Sequence, residues 1–134
     1  MINIHSEGHL TKGPDTISFN SVINTYAEQG DPNGAHDILK MMEDYVKSGN
    51  NDAKPNIRTY NTLIKAWSKS NNKHAPKEAE IILQNINNLY QSGDLKEGPS
   101  KVTYKLMIGC LRKFKGCKKR IKQLLQLMLR DVRK

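Results

Sequence analysis

At 134 residues the chain has the length of one domain, and a hydrophobic fraction of 37% with a mean hydropathy of -0.69 is low for a compact core. The net charge is +9, and residues 96–134 hold 13 Lys/Arg against 2 acidic residues, a field that suits phosphates, anionic lipid headgroups or a merely solvated helix face. No apolar run approaches the roughly 18 residues of a membrane span, Met1–Glu7 is not a signal peptide, and with Arg58 as the first arginine no transit peptide is visible.

Residues 1–15 carry an internal match. Gly8-His9-Leu10-Thr11-Lys12-Gly13-Pro14-Asp15 aligns without gaps to Gly93-Asp94-Leu95-Lys96-Glu97-Gly98-Pro99-Ser100. This head therefore reads as the tail of a preceding repeat, and the chain is expected to be a fragment or a short member of a longer array.

Residues 16–56 form repeat one. Thr16-Ile17-Ser18-Phe19-Asn20-Ser21-Val22-Ile23 follows Pro14-Asp15, and Phe19, Val22, Ile23 and Tyr26 repeat at the spacing of an amphipathic helix. The predicted helices span about 16–29 and 34–48, with Asp15 as N-cap and Gly30 and Gly49 as exits.

Residues 57–100 form repeat two, whose Ile57-Arg58-Thr59-Tyr60-Asn61-Thr62-Leu63-Ile64 follows Pro55-Asn56 at an offset of 41. Its first helix is predicted at 57–70 with the stripe Tyr60, Leu63, Ile64 and Trp67. Its second, at 77–92, matches Ala35, Ile38, Leu39, Met42, Tyr45 and Val46 with Ala79, Ile82, Leu83, Ile86, Leu89 and Tyr90 at an offset of 44. The surplus over repeat one is assigned to the turn around Asn71-Asn72-Lys73-His74, where insertions cost little.

Residues 101–134 form repeat three, basic and incomplete. Lys101-Val102-Thr103-Tyr104-Lys105-Leu106-Met107-Ile108 follows Pro99-Ser100 at an offset of 44 from repeat two, and helices are predicted at 101–113 and 117–131. The stripes are Tyr104, Met107, Ile108 and Leu111, then Ile121, Leu124, Leu125 and Met128. The fold class is all-α, an α-solenoid of three helical hairpins. Cys110 and Cys117 lack a nearby histidine pair and read as reduced thiols, and His5, His9, His36 and His74 are scattered. No metal and no cofactor is expected.

The repeated string of proline, a small polar residue, two variable residues, Ser/Thr, an aromatic and then Asn, opening a helix, resembles the pentatricopeptide repeat family over residues 14–134. Ala35 and Met42 also stand at family places in the second helix, although these repeats exceed the family length of about thirty-five residues. The resemblance implies single-stranded RNA as partner, other proteins of RNA processing as further partners, and a mitochondrion or chloroplast as location. No membrane and no small-molecule substrate is expected as partner, and no catalysis.

It also implies which residues face RNA bases: the second and fifth of each first helix and the residue closing each repeat. These are Ile17, Arg58 and Val102; Asn20, Asn61 and Lys105; and Asn56 and Ser100, with Asp15 closing the upstream repeat. Asn with Asn or Ser at the paired positions implies a pyrimidine, with Asn and Ser leaning to cytosine. Lys105 departs from the pattern and leaves repeat three without a base.

The helical period puts Ile17, Asn20, Asn24 and Glu28 on one stripe, as it does Arg58, Asn61, Lys65 and Lys69, and Val102, Lys105, Gly109 and Lys113. Lys65, Lys69 and Lys113 are accordingly expected to meet phosphate. Asp15, Asn56 and Ser100 are equally explained as N-caps, whereas Asn20 and Asn61 are poor helix formers at one repeated place with no packing reason in the sequence. Arg58 and Lys101 set cations against the helix dipole.

A helical scaffold for another protein, as in tetratricopeptide arrays, is the competing reading, but the bulky aromatic and Leu-Gly pair early in the first helix are missing. An enzyme would need a nucleophile with a base, a phosphate loop or a deaminase His-x-Glu with Cys-x-x-Cys, none of which the sequence contains.

Overall fold

The computed structural model describes residues 13–132, so most of the expected upstream tail lies outside the described residues. Six α-helices follow in pairs: α1 (Thr16–Glu28) and α2 (Pro32–Lys47), α3 (Ile57–Ser70) and α4 (Ala75–Ser92), α5 (Lys101–Leu111) and α6 (Lys118–Val132), with a 3-10 turn at Asn51–Ala53. No strand occurs among the described residues. The first helices pack directly on one another, α1 on α3 and α3 on α5, whereas α2 and α4 reach the neighbouring hairpin chiefly through its first helix, and α4 meets α6 through the Arg120–Glu80 ion pair. The closer spacing on the first-helix side makes that side the inner, concave one of a stacked array.

The starts of α1, α3 and α5 are set by their caps. Asp15, Asn56 and Ser100 each accept a hydrogen bond from the backbone N–H three residues on, at 2.9, 3.2 and 3.4 Å. Thr59 and Thr103 complete reciprocal capping boxes by accepting from the backbone N–H of Asn56 and Ser100, each at 3.0 Å. Helix α2 begins two residues earlier than its apolar pattern suggests, because Pro32 occupies the first turn and Asp31 caps it through the N–H of Gly34. Gly30 turns the chain with φ +66°, and a Cβ there would lie 2.8 Å from the carbonyl oxygen of Lys69, so a side chain would clash with α3 as well as strain the turn.

The surplus of repeat two is not confined to the turn. Residues 71–74 exceed the linker 29–31 by one residue, α3 is one residue longer than α1, and α4 starts one residue further before Ala79 than α2 does before Ala35. Helix ends absorb the rest because adding a residue to a terminus keeps its hydrogen-bonding pattern.

The core contains Ile23, Met42, Leu63, Ile64, Ile86, Met107 and Leu124, all essentially inaccessible. Val22, Tyr90 and Leu125, expected on apolar stripes, are instead 43%, 50% and 42% exposed. Val22 corresponds to Leu63 and Met107, which the preceding hairpin covers; among the described residues no hairpin lies on that side of α1. Likewise α6 packs its backbone against α5 and meets α4 through the Arg120–Glu80 ion pair, which leaves part of its stripe open.

His36 on α2 and Trp67 on α3 tie the first two hairpins together, the indole N–H donating to His36 Nε2 at 3.0 Å. That bond needs an unprotonated Nε2, and burial, against the opposing charges of Glu78 and Asp37, holds the imidazole below its ordinary value of 6.5. A depressed histidine stabilises the fold above its unfolded value and loses that contribution as pH falls from there through the folded value. Thermal melts should therefore show a Tm that drops on acidification below about 6.5, and His36→Asn should flatten this part of the profile. An unchanged profile in the variant would exclude His36 as the source.

Candidate nucleic-acid interface

Two adjacent open clefts lie on the inner face, between the starts of the first helices. The first, of about 680 Å³, is lined by Ile17, Asn20, Ser21, Asn24, Asn56, Ile57, Arg58, Thr62 and Glu97. The second, of about 560 Å³, is lined by Asn24, Ile57, Arg58, Asn61, Thr62, Lys65, Glu97, Ser100, Val102 and Leu106. Arg58 stands in the wall common to both. Ile17 and Val102 are 75% and 56% exposed, which leaves apolar surface on the groove with nothing packed over it.

Seven of the eight residues expected to face bases are thus brought into these clefts, and Lys105 is not. The clefts form because each hairpin stacks the opening turn of its first helix beside that of the next. Residues some 40 positions apart, such as Ile17 and Arg58, thereby become opposite walls.

The two asparagines do have a packing reason. Asn20 and Asn61 are 7% and 8% exposed, and their Oδ1 atoms accept from the hydroxyls of Thr59 at 2.6 Å and Thr103 at 2.7 Å, each in the next repeat. Asn20 Nδ2 also donates to Asn56 Oδ1 at 3.2 Å. Each asparagine is therefore an inter-repeat link as well as a wall of the groove.

The three lysines are also engaged. Glu28 pairs with Lys65, and with Lys69 at 3.3 Å, while Lys65 Nζ also donates to Asn24 Oδ1 at 2.9 Å. The two ammonium groups hold the Glu28 carboxyl below the usual carboxylate range. Lys113 donates to the backbone carbonyl of Ser68. Lys65 reaches the rim of the second cleft; Lys69 and Lys113 lie outside both clefts. Arg120, within the basic third, is bound in a fork by Glu80 of α4 at 2.7 and 3.0 Å. Five of the C-terminal cations (Lys118, Lys119, Arg120, Lys122 and Arg130) belong to α6, which packs behind α5, so the basic third is only partly a groove feature.

Ile57, Thr62 and Glu97 line both clefts without having been expected there, and Glu97 is the charged one. It comes from the link between α4 and α5, is exposed, and lines both clefts. Its place before Pro99-Ser100 carries no periodicity, so only the path of the loop could reveal it.

Residues 14–69 match the model of the PPR repeat family. A pentatricopeptide repeat-containing protein of Arabidopsis thaliana is 31% identical over 101 residues, covering 75% of this chain and 16% of that relative. The chain thus spans a small part of the length of the curated relative it matches. No solved structure gives a significant match. With its stacked helical hairpins and this repeat signature, the chain belongs to the pentatricopeptide repeat family.

Proposed function

We propose that the inner face binds single-stranded RNA selectively, one base entering each cleft, as part of organellar RNA processing, stability or translation. Family membership supports RNA as the partner, since proteins of this family generally bind RNA. The observation that carries the finer reading is the convergence of Ile17, Asn20, Asn56 and Arg58 on one cleft and of Arg58, Asn61, Ser100 and Val102 on the next. Each cleft offers a side chain with a flat or apolar face to stack on, an amide to hydrogen-bond a base edge, and a capping residue beside it. Stacking of this kind contributes about 1–3 kcal/mol per base on aromatic platforms, and aliphatic walls belong at the low end. Lys65, Lys69 and Lys113 line the phosphate path once Glu28 and the Ser68 carbonyl release them.

Binding measured against salt tests this. The wild-type chain should bind a pyrimidine-rich single strand saturably, with an affinity that falls as salt rises. Glu28→Gln, which frees Lys65 and Lys69, should tighten binding at low salt and steepen the log-log slope by roughly 0.7 for each further phosphate that a freed lysine neutralises. No saturable binding, or an identical slope in the variant, contradicts the proposed phosphate path.

A further inference from the structure

Resting on that reading, we propose that Thr59 and Thr103 are positioning residues for base selection. Each fixes the amide of the asparagine in the preceding repeat so that its N–H groups, and not its oxygen, face the RNA. Both threonines are fully buried. A hydroxyl has a single proton, and its oxygen here accepts the N-cap backbone N–H of Asn56 or Ser100. The proton goes to the nearer acceptor, Asn20 Oδ1 at 2.6 Å over Asn56 Oδ1 at 3.2 Å for Thr59, and to Asn61 Oδ1 at 2.7 Å for Thr103. With Oδ1 held inward, Nδ2 is turned the other way.

In repeat one a single Nδ2 proton is used by Asn56 Oδ1, and the other is left for the cleft. Among the described residues Asn61 Nδ2 meets no hydrogen-bond acceptor, and no buried side-chain polar atom there lacks a partner, so that amide opens on the cleft that Asn61 lines. The same relay occurs twice at closely matching distances, from the fifth residue of one first helix to the third of the next.

The consequence is chemical. An asparagine free to rotate its amide presents either a donor or an acceptor, and so tolerates opposite base edges. Held by threonine, it presents only donors and takes a base edge bearing an acceptor, such as a pyrimidine carbonyl. Selection at one cleft therefore depends on the stacking of the following hairpin, because that hairpin supplies the threonine.

Oligonucleotides varied at one position, titrated against the full chain, test this. Thr59→Val keeps the shape and removes the hydroxyl, and should cut discrimination at the first cleft by about tenfold while leaving the second cleft unchanged. Thr103→Val should do the converse, and Thr59→Ser should keep wild-type discrimination. Full discrimination at the first cleft in a folded Thr59→Val chain overturns the proposal, while wild-type RNA binding leaves the proposed function standing. Absence of any single-strand binding by the wild type overturns both. If Thr59→Val does not fold, NMR of the wild-type complex decides: Overhauser effects from the Asn20 Nδ2 protons to the base support the proposal, and their absence in the saturated complex overturns it.

Discussion

Leu63→Ala should lower the stability of the chain by about 2–5 kcal/mol, the range for deleting a buried leucine side chain whose cavity the surroundings cannot fill. Leu63 is 1% exposed and lies in the middle of α3, the one helix in contact with both neighbouring first helices and with α2 and α4. Its collapse is resisted from every side, which places the expected loss above that of an equivalent truncation at Leu125, already 42% exposed. Chemical denaturation should show the midpoint fall. RNA binding of the fraction still folded should stay near wild type, because Leu63 touches neither cleft. A loss under about 1 kcal/mol would mean that the hairpins do not pack as described.

Arg58→Ala should have the opposite signature. Arg58 is exposed and its guanidinium holds no hydrogen bond or ion pair among the described residues. Stability should therefore change by no more than about 0.5 kcal/mol. Because Arg58 walls both clefts, two bases lose a stacking face together, and single-strand affinity should fall by about 2 kcal/mol, roughly thirtyfold. A variant that melts early and binds as before would show that the buried and groove-facing stripes are exchanged.

The different fates of Leu63 and Arg58 were legible in the sequence, because they are separated by helical period. Apolar residues at i, i+3, i+4 and i+7 mark the buried side, which includes Leu63, and Arg58 falls off that stripe. The caps were legible for a similar reason: Asp15, Asn56 and Ser100 act on N–H groups only three residues away. Contacts between repeats were not. Asn20 looks unexplained along its own helix, and only stacking brings Thr59, 39 positions away, to within 2.6 Å of it. Lys65 and Lys69 read as free cations until the same stacking sets them against Glu28. Glu97 enters the clefts by the course of an irregular loop, for which residue spacing gives no rule. The exposure of Val22 depends on which hairpins flank α1, and its local pattern, identical in kind to that of Leu63, carries no such information.

The groove built from the opening turns of α1, α3 and α5 is proposed to read unpaired bases. Competition between a pyrimidine-rich RNA strand and the same strand annealed to its complement tests it most directly, since pairing hides the base edges while keeping the phosphates. The single strand should bind at least about tenfold more tightly, and Arg58→Ala should remove most of this preference. Equal affinity for strand and duplex, undiminished by Arg58→Ala, would contradict it.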